Sequence, residues 1–162
     1  MNADRLHIRP AEPEDVALLL DLIRELADYE KAPQEAVATP ELLRAALFGE
    51  RPSAEAVIAE WQGEPAGFAL FFHNFSTWLG KPGLYLEDLF VREDRRGRGI
   101  GKALLLHLAR IARERGCGRM EWSVLDWNRP AIEFYEALGA KRQSEWTVYR
   151  LDAWALDKLS RS

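Results

Sequence analysis

Residues 84–106 read LYLEDLFVREDRRGRGIGKALLL, and the interpretation of this stretch decides the rest. It opens as an apolar strand, Leu84 to Val91, interrupted by two carboxylates, Glu87 and Asp88, that a half-buried strand disfavours. It passes through a basic loop holding Arg95, Arg96, Gly97, Arg98 and Gly99, and continues as a helix whose first turn contains Gly101. A strand, a glycine-rich basic loop and a helix N-terminus in series form a device for a phosphate-bearing ligand.

Upstream, Leu6 to Arg9 alternates apolar and polar residues as a short strand does, and Pro10 and Pro13 lead into a helix. Val16, Leu19, Leu20, Ile23, Leu26 and Ala27 recur at helical spacing, which predicts an amphipathic helix ending near Tyr29 and Glu30. Thr39-Pro40 is a cap and first-turn pair for a second helix, 40–48, closed by Gly49. The period then shortens to two: Ala56 to Trp61 and Ala66 to Phe75 predict a hairpin turning at Gln62-Gly63, and strand 84–91 continues the meander. Downstream of the helix from about Gly99 to Arg115, a strand is expected over Arg119–Leu125 and a short helix over 130–138. A late strand is expected over Trp146–Leu151, and Asp152 caps a final helix. The order β-α-α-β-β-β-α-β-α-β, closed by the final helix, predicts an α/β fold. Its central sheet is mixed and mainly antiparallel, with helices on both faces, in a single domain spanning 1–162.

Composition narrows the function. With 162 residues, 48% hydrophobic, a substantial core is expected, and a net charge of −4 argues against non-specific binding to nucleic acid or an anionic membrane. No apolar run reaches the roughly 18 residues needed to span a bilayer, and the N-terminus lacks a secretory signal. Cys117 is the only cysteine, which predicts a reducing, cytoplasmic setting. His7, His73 and His107 show no metal-ligand spacing, so no metal is expected.

The glycine loop fails two familiar tests. A P-loop ending at Gly101-Lys102 needs glycine at 96 and Ser or Thr at 103, where Arg and Ala stand. The dinucleotide fingerprint needs glycine at 102, where Lys stands. What remains is Arg96-x-x-Gly99-x-Gly101, and this resembles the Q/R-x-x-G-x-G/A motif of the GNAT acetyltransferases. Tyr85 to Val91, Trp127-Asn128-x-Pro130 and Phe134-Tyr135 are similar to the diamine (spermidine/spermine) acetyltransferase group. So are Ile8 to Ala11 and Glu25 to Glu30. These motifs keep the group's order from about Ile8 to Leu159.

The resemblance implies acetyl-CoA as cosubstrate, with no metal. It places main-chain groups of Leu89, Phe90 and Val91 along the pantetheine arm. Arg96, Gly97, Arg98, Gly99, Ile100, Gly101 and Lys102 would take the pyrophosphate, and Asn128, Pro130, Ala131 and Tyr135 would lie beside the thiol end. Tyr29, Glu30, Glu87, Asp88, Trp122 and Glu145 match acceptor-contacting positions. The shorter segment between Gly139 and Trp146 weakens the match at Glu145, and residues 121–123 differ in identity from the animal enzymes.

The chemistry asks for two proton transfers. An aliphatic ammonium with a pKa of about 10.4 must lose a proton before it attacks, and the leaving thiolate must gain one. Glu87 is the candidate base, directly or through water, and Tyr135 the candidate acid. On a regular strand Glu87 and Asp88 point to opposite faces, so both reach one amine only across a bulge, which GNAT proteins typically carry here. Otherwise one of them pairs with an arginine at the core edge. The expected partner is a small cationic amine such as a diamine or polyamine, acetylated by direct transfer in a ternary complex, and a homodimer is expected by resemblance. The alternatives are thialysine, another amino acid or a protein amine as acceptor, or a CoA-binding regulatory module without catalysis.

Overall fold

The computed structural model describes residues 5–162; residues 1–4, part of the stretch read above as lacking a leader, lie outside the described residues. Two compact units are present, one running to Ser123 and one from Val124 to Ser162.

The first unit is a five-stranded sheet in the order β1-β2-β3-β4-β5. Strands β1 (Leu6–Pro10), β2 (Glu55–Trp61), β3 (Glu64–Ser76) and β4 (Lys81–Val91) form the expected antiparallel meander. Its hairpin turns at Gln62 and Gly63, whose φ values of 53° and 80° suit a tight two-residue turn. Strand β5 (Met120–Glu121) runs parallel to β4. Helices cover both faces. Helix α1 (Val16–Tyr29) and α2 (Pro40–Phe48) press Leu19, Leu22, Leu26, Leu43 and Leu47 onto Ala56, Ile58, Phe68 and Phe90. Helix α3 (Ile100–Glu114) lies on the other face, where Gly101 comes up to the side chains of Leu89 and Val91. Each fully buried leucine contributes about 1.5–3 kcal/mol, so these contacts rather than helix propensity hold the helices in place.

Local chemistry sets both ends of α1. Arg9 donates to Asp15 through both terminal nitrogens at 2.7 and 3.0 Å, and its Nε reaches Glu60 at 3.2 Å. The Asp15 carboxylate also accepts from the Glu12 N–H at 2.8 Å, and the Arg9 guanidinium holds its pKa below the usual range. At the far end Lys31 adopts φ 62°, the left-handed conformation that stops a helix, and the Ala32 N–H returns to the Ala27 carbonyl at 2.9 Å. Tyr29 and Glu30 therefore sit where the chain reverses.

The second unit holds α4 (Arg129–Ala137) and α5 (Ala153–Ser160). Asn128 Oδ1 accepts from the Ala131 N–H at 3.3 Å and Asp152 Oδ1 from the Ala155 N–H at 2.9 Å, as N-caps should.

Two expected strands are corrected. The strand expected over Arg119–Leu125 is reduced to Met120–Glu121, because pairing with β4 covers only Leu84↔Met120 and Tyr85↔Glu121 before an irregularity in β4 interrupts the ladder. The strand expected over Trp146–Leu151 is not formed: residues 147–152 carry no regular structure. A strand persists by pairing, and among the described residues of Val124–Ser162 there is no other strand to supply a partner.

Candidate active site

The irregularity in β4 is a bulge at Glu87. The register with β3 passes from Leu70↔Asp88 to Phe71↔Leu86, so Glu87 is the extra residue without an opposite number. This resolves the geometric objection to two adjacent carboxylates acting together. Asp88 shares a face with Phe90, which packs on the α1 side, and is part-buried, while Glu87 is exposed at the bulge.

Glu30, at the end of α1, joins the same electrostatic cluster. Burial, the negative charge of Glu87 and then that of Glu30 push the Asp88 carboxyl up from 3.8 to about 7. Burial and Glu87 likewise raise the Glu30 carboxyl. Among the described residues, none of these three acids takes part in an ion pair, in contrast with Arg9–Asp15, Arg92–Glu25 and Arg115–Glu55. The pairing of one carboxylate with a core-edge arginine therefore does not occur; the arginine at the end of β4, Arg92, binds Glu25 and the Pro65 carbonyl instead. Three neighbouring acids without a cation form a site with a strong preference for one.

Beside the acids, the Phe72 and Tyr85 rings lie 5.1 Å apart and the Tyr85 hydroxyl is hydrogen-bonded to Ser123 Oγ at 3.0 Å. Tyr85 opens the stretch similar to the diamine group and Ser123 lies in the segment 121–123 whose identities differ from the animal enzymes, but the sequence gives neither a role of its own. Trp122 follows β5 directly. His73 instead adjoins the Glu55–Arg115 pair, its Nε2 3.4 Å from an Arg115 terminal nitrogen.

The glycine loop adopts the backbone conformation that the phosphate reading requires. Gly97 and Gly99 have φ of 77° and 76°, a region that favours glycine, and Gly99 is the N-cap of α3. No side chain caps α3, whereas Thr39, Asn128 and Asp152 cap α2, α4 and α5. The first N–H groups of α3 are thus directed out of the helix beside a basic loop, the arrangement an anion needs. The arginines divide their tasks. Arg98 lies over the Trp61 ring at 5.5 Å, Arg95 pairs with Asp94 at 3.2 Å, and Arg96 turns back to the Val91 carbonyl at 3.0 Å.

On β4, the Arg92 N–H bonds to the Ala66 carbonyl at 2.8 Å, so alternate residues toward the N-terminus face β3. The main-chain groups of Leu89 and Val91 consequently face the other edge, where pairing with β5 has ended. That edge can accept an extended ligand as an added strand.

In the second unit, Asn128 is buried, Pro130 and Ala131 form the first turn of α4, and Tyr135 is part-buried with the Phe134 ring 5.5 Å away. Glu145 is exposed.

The raised Asp88 pKa makes a prediction about stability. The folded protein keeps this proton up to about pH 7 and the unfolded chain loses it near 3.8, so this residue's contribution is complete below pH 4 and is lost as the pH rises through 7. Asp88→Asn is expected to match the wild type at pH 4 and to exceed it by about 4 kcal/mol at pH 8 in denaturant unfolding. Equal stability at both pH values would mean that Asp88 ionises normally.

Comparison with known proteins agrees with this geometry. Residues 19–140 match the Acetyltransferase (GNAT) family. A thialysine N-epsilon-acetyltransferase of Bos taurus is 38% identical over 94% of this chain and 96% of its own length. An L-ornithine N5-acetyltransferase of Arabidopsis thaliana is 33% identical over 95% of this chain and 87% of its own. An integron cassette protein from the mobile metagenome of V. cholerae superposes with a TM-score of 0.82 at 30% identity, covering 98% of this chain and 99% of that one. With its glycine-rich basic loop, mixed sheet and matched sequence, the chain belongs to the GNAT acetyltransferase family.

Proposed function

We propose that this acetyltransferase moves the acetyl group of acetyl-CoA to a primary amine of a small cationic acceptor, a diamine or polyamine, by direct transfer in a ternary complex. The observation that carries the acceptor class is the cluster of Glu30, Glu87 and Asp88 without a cationic partner. A second amine on the acceptor gains from such a cluster, and an anionic acceptor loses.

Acetyl-CoA supplies the thioester that is to be cleaved. The residues fit it: the N-terminus of α3 without a side-chain cap, with Gly97 to Lys102, suits the pyrophosphate, and the outward main-chain groups of Leu89 and Val91 suit the pantetheine arm, whereas those of Phe90, expected beside them, are turned to β3. Asn128, Pro130 and Ala131 are assigned to the thiol end. Glu87 takes a proton from the ammonium directly or through water, while Asp88, whose carboxyl is pushed up to about 7, gives up its proton as the cationic acceptor binds beside it. The neutral amine would then form its bond to the acetyl carbon as the carbon–sulfur bond breaks, the nitrogen's second proton passing to water and the Tyr135 hydroxyl protonating the sulfur before it regains a proton from solvent. Tyr29, Trp122 and Glu145 complete the proposed acceptor contacts.

Residues 1–162 are proposed to work as one catalytic domain, in the cytoplasm, with neither nucleic acid nor membrane as partner. Among the described residues no helix is long and apolar enough to cross a membrane. A homodimer belongs to the proposal too: Val148, Tyr149 and Trp154 expose large apolar side chains, and covering them favours association.

A second reading replaces the diamine with a basic amino acid acetylated on its side-chain amine. It is favoured by the bovine and Arabidopsis relatives, whose names specify thialysine and L-ornithine.

An acetylation assay with putrescine, spermidine, thialysine, ornithine and a neutral-bodied monoamine tests both. The highest kcat/KM is expected for a diamine or polyamine; thialysine or ornithine as the best acceptor would establish the second reading. Binding of CoA with no amine acetylated would overturn both. With the best acceptor, Tyr135→Phe is expected to lower kcat about 100-fold at nearly unchanged acetyl-CoA affinity. An unchanged kcat would remove Tyr135 from the acid role.

A further inference from the structure

Arg96 opens the glycine motif, and among the described residues its guanidinium makes no ion pair with an acidic side chain. Its Nε donates to the Val91 carbonyl at 3.0 Å, and its central carbon lies 4.8 Å from the centre of the Tyr29 ring and 5.6 Å from that of Phe90. One side chain thus touches the end of the proposed pantetheine edge and the proposed acceptor wall. Phe90, beneath it, is 6% exposed, so the contact rests on a fixed surface.

We infer that Arg96 is a positioning residue that ties the acceptor wall at Tyr29 to the cofactor edge at Val91, and is not a phosphate ligand. The inference rests on the proposed function. The Val91 carbonyl lies on the outward edge of β4, so the Nε bond closes that edge and sets where an added strand must stop. The flat face of the guanidinium is then held against Tyr29, an interaction that a planar delocalised cation makes and an ammonium does not reproduce. Tyr29 stands immediately before the reversal at Lys31, where the helix no longer restrains it on the C-terminal side. Fixing that ring fixes one side of the entrance to Glu30, Glu87 and Asp88.

The test uses the full-length protein with acetyl-CoA and with S-acetylpantetheine, a donor lacking the pyrophosphate. Arg96→Gln is expected to raise the acceptor KM about tenfold, the effect of losing one charge-assisted hydrogen bond and one stacked cation, by the same factor with both donors. Arg96→Lys should not restore it. The Arg96→Gln penalty should disappear in a Tyr29→Ala background and persist in Tyr29→Phe, which keeps the ring. A penalty confined to acetyl-CoA, or one that is unchanged by Tyr29→Ala, would overturn the inference and return Arg96 to the phosphates. Should Arg96→Gln not fold, as judged by thermal unfolding, Arg96→Lys carries the same comparisons. Wild-type protein that acetylates no amine would remove the proposed function, and this inference with it, an outcome distinct from any result for the variants.

Discussion

The bulge at Glu87 is the constraint on which the site depends. One residue without an opposite number on β3 brings two successive acids into a common electrostatic cluster with Glu30. The same irregularity accompanies the end of β5 pairing, so among the described residues the edge of β4 that follows is left unpaired. The acid cluster and that edge therefore both follow from a single extra residue. Clustering acids that lack a cation costs stability, and the cost is visible in an Asp88 carboxyl pushed to about 7. The packing of α1, α2 and α3 on the two faces of the sheet makes that cost tolerable.

The donor half of the reaction and the acceptor half are held by different kinds of chemistry. The features proposed for acetyl-CoA are ones of main-chain geometry: glycines at positive φ, a helix N-terminus without a side-chain cap, and a strand edge. Such features tolerate many side-chain changes elsewhere. The contacts proposed for the acceptor are side chains on α1 and on the bulge, and these can change without disturbing the fold.

How much of this was legible in the sequence follows from how local each feature is. The caps at Thr39 and Asp152, the turn at Gln62-Gly63, and the apolar stripe from Val16 to Leu26 each depend on a few adjacent residues, and each is found where the spacing put it. The bulge was expected only through resemblance to the family, because register is a property of two strands and not of one. The expected strand over Trp146–Leu151 failed for the same reason: its alternating residues have the right character, but a strand needs a partner that no single segment reveals. The Arg96 side chain was assigned to phosphate from its position in the motif; its direction toward Val91 and Tyr29 depends on where α1 ends in space.

The central claim is that the acids around the bulge form a cation site poised near neutrality, and the ionisation of Asp88 reports on it most directly. Side-chain carboxyl carbons can be titrated by carbon-13 NMR, with Asp88→Asn used for assignment. Without acceptor, the Asp88 carboxyl should titrate near pH 7, and saturating diamine should lower that value by at least about one unit, as a bound cation would. Titration near pH 4, or a midpoint that the diamine leaves unmoved, would contradict the account.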